Sequence, residues 1–105
     1  MTRTERGTVT YGQIRRTIGR AAALEQLAEE AAELAQAALK VSRILRGINP
    51  TPTHLDAAEA ALTEELSDVV LCAQVAGLIP DQGVMTVKLR RWAERLEVRH
   101  GKINS

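Results

Sequence analysis

Four acids stand in two pairs, each pair one helical turn apart: Glu30 and Glu33 in EEAAEL, and Glu65 and Asp68 in EELSDVV. In both stretches the acids are interleaved with Leu, Ala and Val at amphipathic-helix spacing, so they border an apolar stripe instead of lying opposite it. At about 100° per residue, with the first stripe centred near Leu27, Glu30 lies about 60° to one side and Glu33 about 120° to the same side. With the second stripe centred near Leu55, Glu65 lies about 80° and Asp68 about 140° to its own same side. Antiparallel packing along the stripes would gather four carboxylates. So many like charges need a counter-charge. A divalent cation is the simplest one, and all-oxygen ligation selects Mg²⁺ or Mn²⁺ over zinc. Either pair alone is ordinary on an Ala-rich surface helix; the two in matching positions carry the reading.

The elements that must position these acids are legible as helices. In residues 21–46, Leu24, Leu27, Ala31, Leu34, Ala38, Val41 and Leu45 recur at steps of three and four, and Gly47 is a natural stop. INPTPT (48–53) is a Pro-broken connector, with Thr53 and Asp56 resembling a capping box. A second long helix follows, striped by Leu55, Ala58, Leu62, Leu66, Val69, Ala73 and Ala76 and ended by Gly77 and Pro80. Asp81 caps a third, through Val84, Val87, Leu89, Trp92 and Leu96, closing at Gly101. Tyr11 to Ile18 make a short helix before Gly19. The expected fold is all-α: a compact helical bundle of four-helix type with two long antiparallel helices. Residues 1–20 form an N-terminal segment, 21–101 the helical domain and 102–105 a tail.

Composition narrows the class. With 105 residues, 45% of them hydrophobic and mostly Ala, Leu and Val, and with no Phe, one Trp and one Tyr, the chain is one helical domain of modest core. A homodimer or homotetramer would help complete that core. The net charge of +1 conceals a segregation: residues 21–87 hold ten acids against three bases, whereas 1–20 hold five Arg against one Glu and 88–102 six Lys or Arg against two Glu. An acidic middle argues against a nucleic-acid polymer as partner and fits a cation site near anionic groups. One cysteine excludes a disulfide framework and a zinc cluster. No apolar run approaches the ~20 residues that span a bilayer, so a cytoplasmic protein with no membrane partner is expected.

EQLAEEAAELAQA followed by EELSDVVLCAQV resembles the MazG-like nucleoside triphosphate pyrophosphohydrolases of the all-α NTP pyrophosphatase group, whose signature is ExxE, a spacer and ExxD. The resemblance covers roughly residues 21–96. It implies an oligomeric helical hydrolase that binds Mg²⁺ through Glu30, Glu33, Glu65 and Asp68. Its activity would be cleavage of a nucleotide between the α and β phosphates. The spacer from Glu33 to Glu65 is at or beyond the long end of the pattern. VVLCAQ stands where the related phosphoribosyl-ATP pyrophosphatases carry Tyr-His. On this reading Glu33, further from the core, is the candidate base for the attacking water, with Glu30 beside it as a catalytic ligand. KLRRWAERL offers Lys88, Arg91 and Arg95 as a phosphate clamp, the family having a basic residue at positions resembling Lys88 and Arg91. The competing reading is a non-catalytic helical oligomerisation module whose acids are solvated or salt-bridged to the basic ends.

Other residues take plainer roles. Trp92 continues its helix stripe and is expected in the core; Tyr11 is undetermined. Cys72, one turn past Asp68, reads as a small packing residue. Gln26, one turn before Glu30, is an ordinary exposed Gln or a contact to base or ribose. Glu97 and His100 form one ExxH, where a di-iron bundle needs two.

Overall fold

The computed structural model describes residues 8–48 and 54–102, which form four helices and no strand: α1 (Tyr11–Ile18), α2 (Arg20–Arg46), α3 (Leu55–Val75) and α4 (Gln82–His100). The all-α class follows from the composition, and the caps fix the boundaries. Thr10 opens α1 with a reciprocal capping box, its Oγ1 accepting from Gln13 N at 3.1 Å while Thr10 N donates to Gln13 Oε1 at 2.8 Å. Asp81 accepts from Val84 N at 3.0 Å and opens α4 as its position predicts. His54 precedes α3 without a side-chain cap; the Thr53 half of the anticipated capping box lies outside the described residues. Asp56 in the first turn favours the positive end of the α3 dipole.

Both long helices end in paired carbonyl-capping bonds around a glycine. Gly47, at φ +64°, lets Ile48 N reach Arg43 O while Gly47 N reaches Ile44 O. Gly77, at φ +80°, does the same with Leu78 N on Ala73 O and Gly77 N on Gln74 O. At Gly77 the space a Cβ would fill is held by the Arg15 guanidinium. Glycine is needed there for the left-handed backbone, while the guanidinium, the far end of a flexible side chain, can shift.

α2 and α3 form an antiparallel hairpin. Ala23, near the start of α2, packs with Val75 and Ala76 at the end of α3, and Arg20 Nε donates to Ala76 O across the same end at 3.2 Å. α1 folds against that end and touches both long helices. Among the described residues the buried hydrophobic ones are Ala23, Val41, Ala58, Val75 and Ala76. These small side chains let the helix axes approach closely, at the cost of a thin core.

α4 departs from the hairpin. It packs against none of the other three helices, and Trp92, expected in the core, is 59% exposed. The Trp92 core position expected from the stripe of α4 is not realised, because after Pro80 no other described element of the chain lies alongside to cover it. The molecule is accordingly extended, 60 × 40 × 24 Å with a radius of gyration of 18.7 Å, where a close-packed chain of this length has about 13 Å. Among the described residues no helix is long and apolar enough to cross a membrane.

Candidate metal centre

The antiparallel register, with the start of α2 against the end of α3, sets the middle of one helix against the middle of the other, and Glu30, Glu33 and Glu65 meet on one flank of the hairpin. Glu30, Glu33 and Glu65 each place a carboxylate oxygen within 4.8 Å of the others. Asp68 is not one of that trio but is half-buried beside it; its charge acts on both Glu30 and Glu65. Thus three of the four expected ligands converge, and the fourth adjoins them.

The electrostatics are those of crowded acids. Burial at the rim of the helix seam, then the Glu33 charge and a hydrogen bond with Glu33, then Asp68 and Glu30, push the Glu65 carboxyl above its ordinary value. Burial likewise leads in raising Glu30, partly offset by Gln26, whose Nε2 donates to Glu30 Oε1 at 3.0 Å. Gln26 therefore orients a carboxylate, an i,i+4 pair visible in the sequence. Among the described residues, no cation figures in the groups that shift Glu30 or Glu65. Cys72 is half-buried one turn away; burial first, then the charges of Glu30 and Asp68, raise its thiol, which keeps it protonated and poorly nucleophilic at neutral pH.

These residues fit a divalent cation. Glu65 Oε2 is buried with no hydrogen-bond partner, an orphaned anionic oxygen that needs a positive group. The donor set is all carboxylate, the ligand type of Mg²⁺ or Mn²⁺. At a Mg–O distance of about 2.1 Å one ion spans oxygens up to about 4.2 Å apart, so a trio within 4.8 Å needs only small side-chain rotations.

The basic residues stand elsewhere. Lys88, Arg91 and Arg95 are all exposed on α4, which touches neither α2 nor α3, and one chain does not bring them to the carboxylates. Glu97 and His100 join no metal-ready group among the described residues. Tyr11 is exposed at the start of α1. Arg20, which bonds to the end of α3, and Arg15, whose guanidinium lies over Gly77, had no local sequence signal, because those positions are more than fifty residues away. No family model, no curated protein and no solved structure matches the chain; the reading of the site rests on its own residues.

Proposed function

We propose that the chain is a Mg²⁺-dependent nucleotide pyrophosphohydrolase, cleaving a nucleoside triphosphate to monophosphate and pyrophosphate in the housekeeping of a nucleotide pool. The observation that carries this is the convergence of Glu30, Glu33 and Glu65, with Asp68 adjoining, around an unpartnered buried oxygen. It is the constellation implied by the ExxE and ExxD resemblance to MazG-like enzymes. Mn²⁺ satisfies the same ligands.

In this proposal Glu30, Glu33, Glu65 and Asp68 hold the ion, with Gln26 fixing the orientation of Glu30. When bound, Mg²⁺ would neutralise phosphate oxygens and act as a Lewis acid on the phosphoryl group. Glu33 is exposed while Glu30 and Glu65 are half-buried, which suits it to meet solvent and take the proton of the attacking water. The water oxygen bonds to the α phosphorus, the bond to the bridging oxygen breaks, and pyrophosphate leaves. That no cation among the described residues figures in the groups shifting Glu30 and Glu65 supports this reading over a silent module with salt-bridged helices.

Assay of nucleotide turnover with Mg²⁺, scoring both pyrophosphate and monophosphate, tests the proposal. Glu30→Gln or Glu65→Gln should lower turnover by on the order of a hundredfold or more, since even outer-shell losses at metal sites cost 10–100-fold. Normal turnover in either folded variant would sink the assignment. A phosphate clamp by Lys88, Arg91 and Arg95 requires α4 to swing in or to come from a neighbouring copy in a homodimer or homotetramer. If it operates, Lys88→Glu raises the nucleotide KM with kcat little changed; an unaltered KM retires it.

A further inference from the structure

The end of the hairpin where α1 docks collects charge of the opposite sign. Three arginines meet there. Arg20 Nε donates to Ala76 O at 3.2 Å, and the Arg15 guanidinium lies over Gly77, the next residue. Arg15 also turns its other terminal nitrogen towards Gly12: a carbon at the Cβ position of Gly12 would lie 3.5 Å from Arg15 Nη2 and 3.2 Å from Arg16 Nη1. Those two nitrogens are therefore no further apart than the sum of the two lengths, and Gly12 has no side chain to fill the point they share. Both arginines stand in the last turn of α1, but their heads fold back over Gly12, away from the carbonyl end that a cation would cap.

No acid offsets them within the segments that meet. Residues 8–24 and 69–80, which supply α1, the start of α2 and the end of α3, contain neither Asp nor Glu. Each guanidinium carries five N–H donors, and among the described residues the one hydrogen bond from the three is that of Arg20 to Ala76 O. Like charges gathered in this way repel, and an anion relieves them. Phosphate suits guanidinium best among common anions, because the planar fork matches its oxygens. With bonds of about 2.8 Å to separate oxygens, one phosphate group joins Arg15 Nη2 to Arg16 Nη1.

The carboxylates are too distant to share that group. Glu30 lies ten residues beyond Arg20 on α2, about 15 Å along the axis, and Asp68 lies eight residues before Ala76 on α3, about 12 Å. We propose that Arg15, Arg16 and Arg20 form a binding site for a small, multiply charged phosphate anion, separate from the carboxylate centre. The site stands whether or not the carboxylates are catalytic. Its test is run with chelator, so that no divalent cation draws phosphate to the acids, and it reads binding, not turnover.

Pyrophosphate should bind the full chain with a Kd below a millimolar in titration calorimetry and raise its melting temperature. Arg16 is exposed, and Arg16→Gln should weaken binding about tenfold or more through lost charge-assisted bonds. Arg46→Gln, at the far end of α2, should leave binding intact. Should Arg16→Gln not fold, the wild-type chain decides: pyrophosphate should slow phenylglyoxal modification of Arg15 and Arg16 severalfold more than that of Arg43 and Arg46, read by peptide mass mapping. A nucleoside triphosphate that binds more tightly than pyrophosphate at the same arginines identifies the anion as the phosphate tail of a nucleotide; equal binding identifies a free phosphate chain. Absence of binding, undiminished binding by Arg16→Gln, or protection of Arg91 and Arg95 in place of Arg15 and Arg16 overturns the proposal. So does a single-stranded oligonucleotide that outcompetes pyrophosphate, which would make the patch a nucleic-acid contact.

Discussion

Glu65 is the residue on which the site turns. Its Oε2 is buried and unpartnered, and its carboxyl is raised first by that burial and then by Glu33, Asp68 and Glu30. A raised folded-state value means that the folded chain holds a proton the unfolded chain has already released above its ordinary value of 4.5. The stability contributed by Glu65 and Glu30 is thus fully present below that value and is lost as pH rises through the folded-state value. With chelator present, the melting temperature should fall between mildly acidic and neutral pH. Mg²⁺ should restore it at neutral pH, because a ligand that binds only the folded state stabilises it. Glu65→Gln should raise the metal-free melting temperature at neutral pH and erase most of the Mg²⁺ increment. A variant less stable than wild type without metal, yet still responsive to Mg²⁺, would contradict this account. The pairing of the acids was legible from ExxE and ExxD. The burial of one oxygen was not, because it depends on how near the facing helix comes.

Among elements, the helix ends carry the clearest local determinants. Gly19, the cap at Asp81 and the stop at Gly47 lie where spacing and turn residues predict, and the Thr10 cap likewise follows from short-range chemistry. Gly47 and Gly77 share a left-handed backbone, but only Gly77 is also crowded, by Arg15. Gly47→Ala should cost about 1 kcal/mol, the usual penalty of that conformation, measured by urea unfolding. Gly77→Ala should cost a similar amount, because the Arg15 guanidinium in its path is the far end of a flexible side chain and can swing aside. A clearly larger cost at Gly77 would mean that Arg15 is held firmly there. No sequence window shows that approach, since Arg15 and Gly77 are sixty-two positions apart.

At the scale of the molecule, the unpartnered surface is the chief fact. α4 bears exposed Met85, Leu89 and Trp92 and rests on no other described helix of its chain, whereas most helical stability in proteins comes from packing of the amphipathic face. Assembly should cover it. Trp92 is the sole tryptophan, so its emission reports α4 alone. Concentrated protein should show a blue-shifted, quencher-protected indole, moving to the red on dilution in step with dissociation. A Trp92 fully open to quencher in the assembled protein would show that α4 remains uncovered.

The sequence by itself determined the helices, their boundaries and the flank on which each acid pair lies, because those depend on periodicity and on capping groups within a few residues. It also carried the class, since an Ala- and Leu-rich chain with two aromatic residues has little to build a sheet from. Only the tertiary structure decided that Glu30, Glu33 and Glu65 share one small volume while Asp68 adjoins it, since that depends on the depth and register of helix contact. The separation of α4 from the hairpin is likewise tertiary. An amphipathic stripe shows that a helix needs a partner, but the partner is chosen by where the chain turns, and after Pro80 it turns away from its own core.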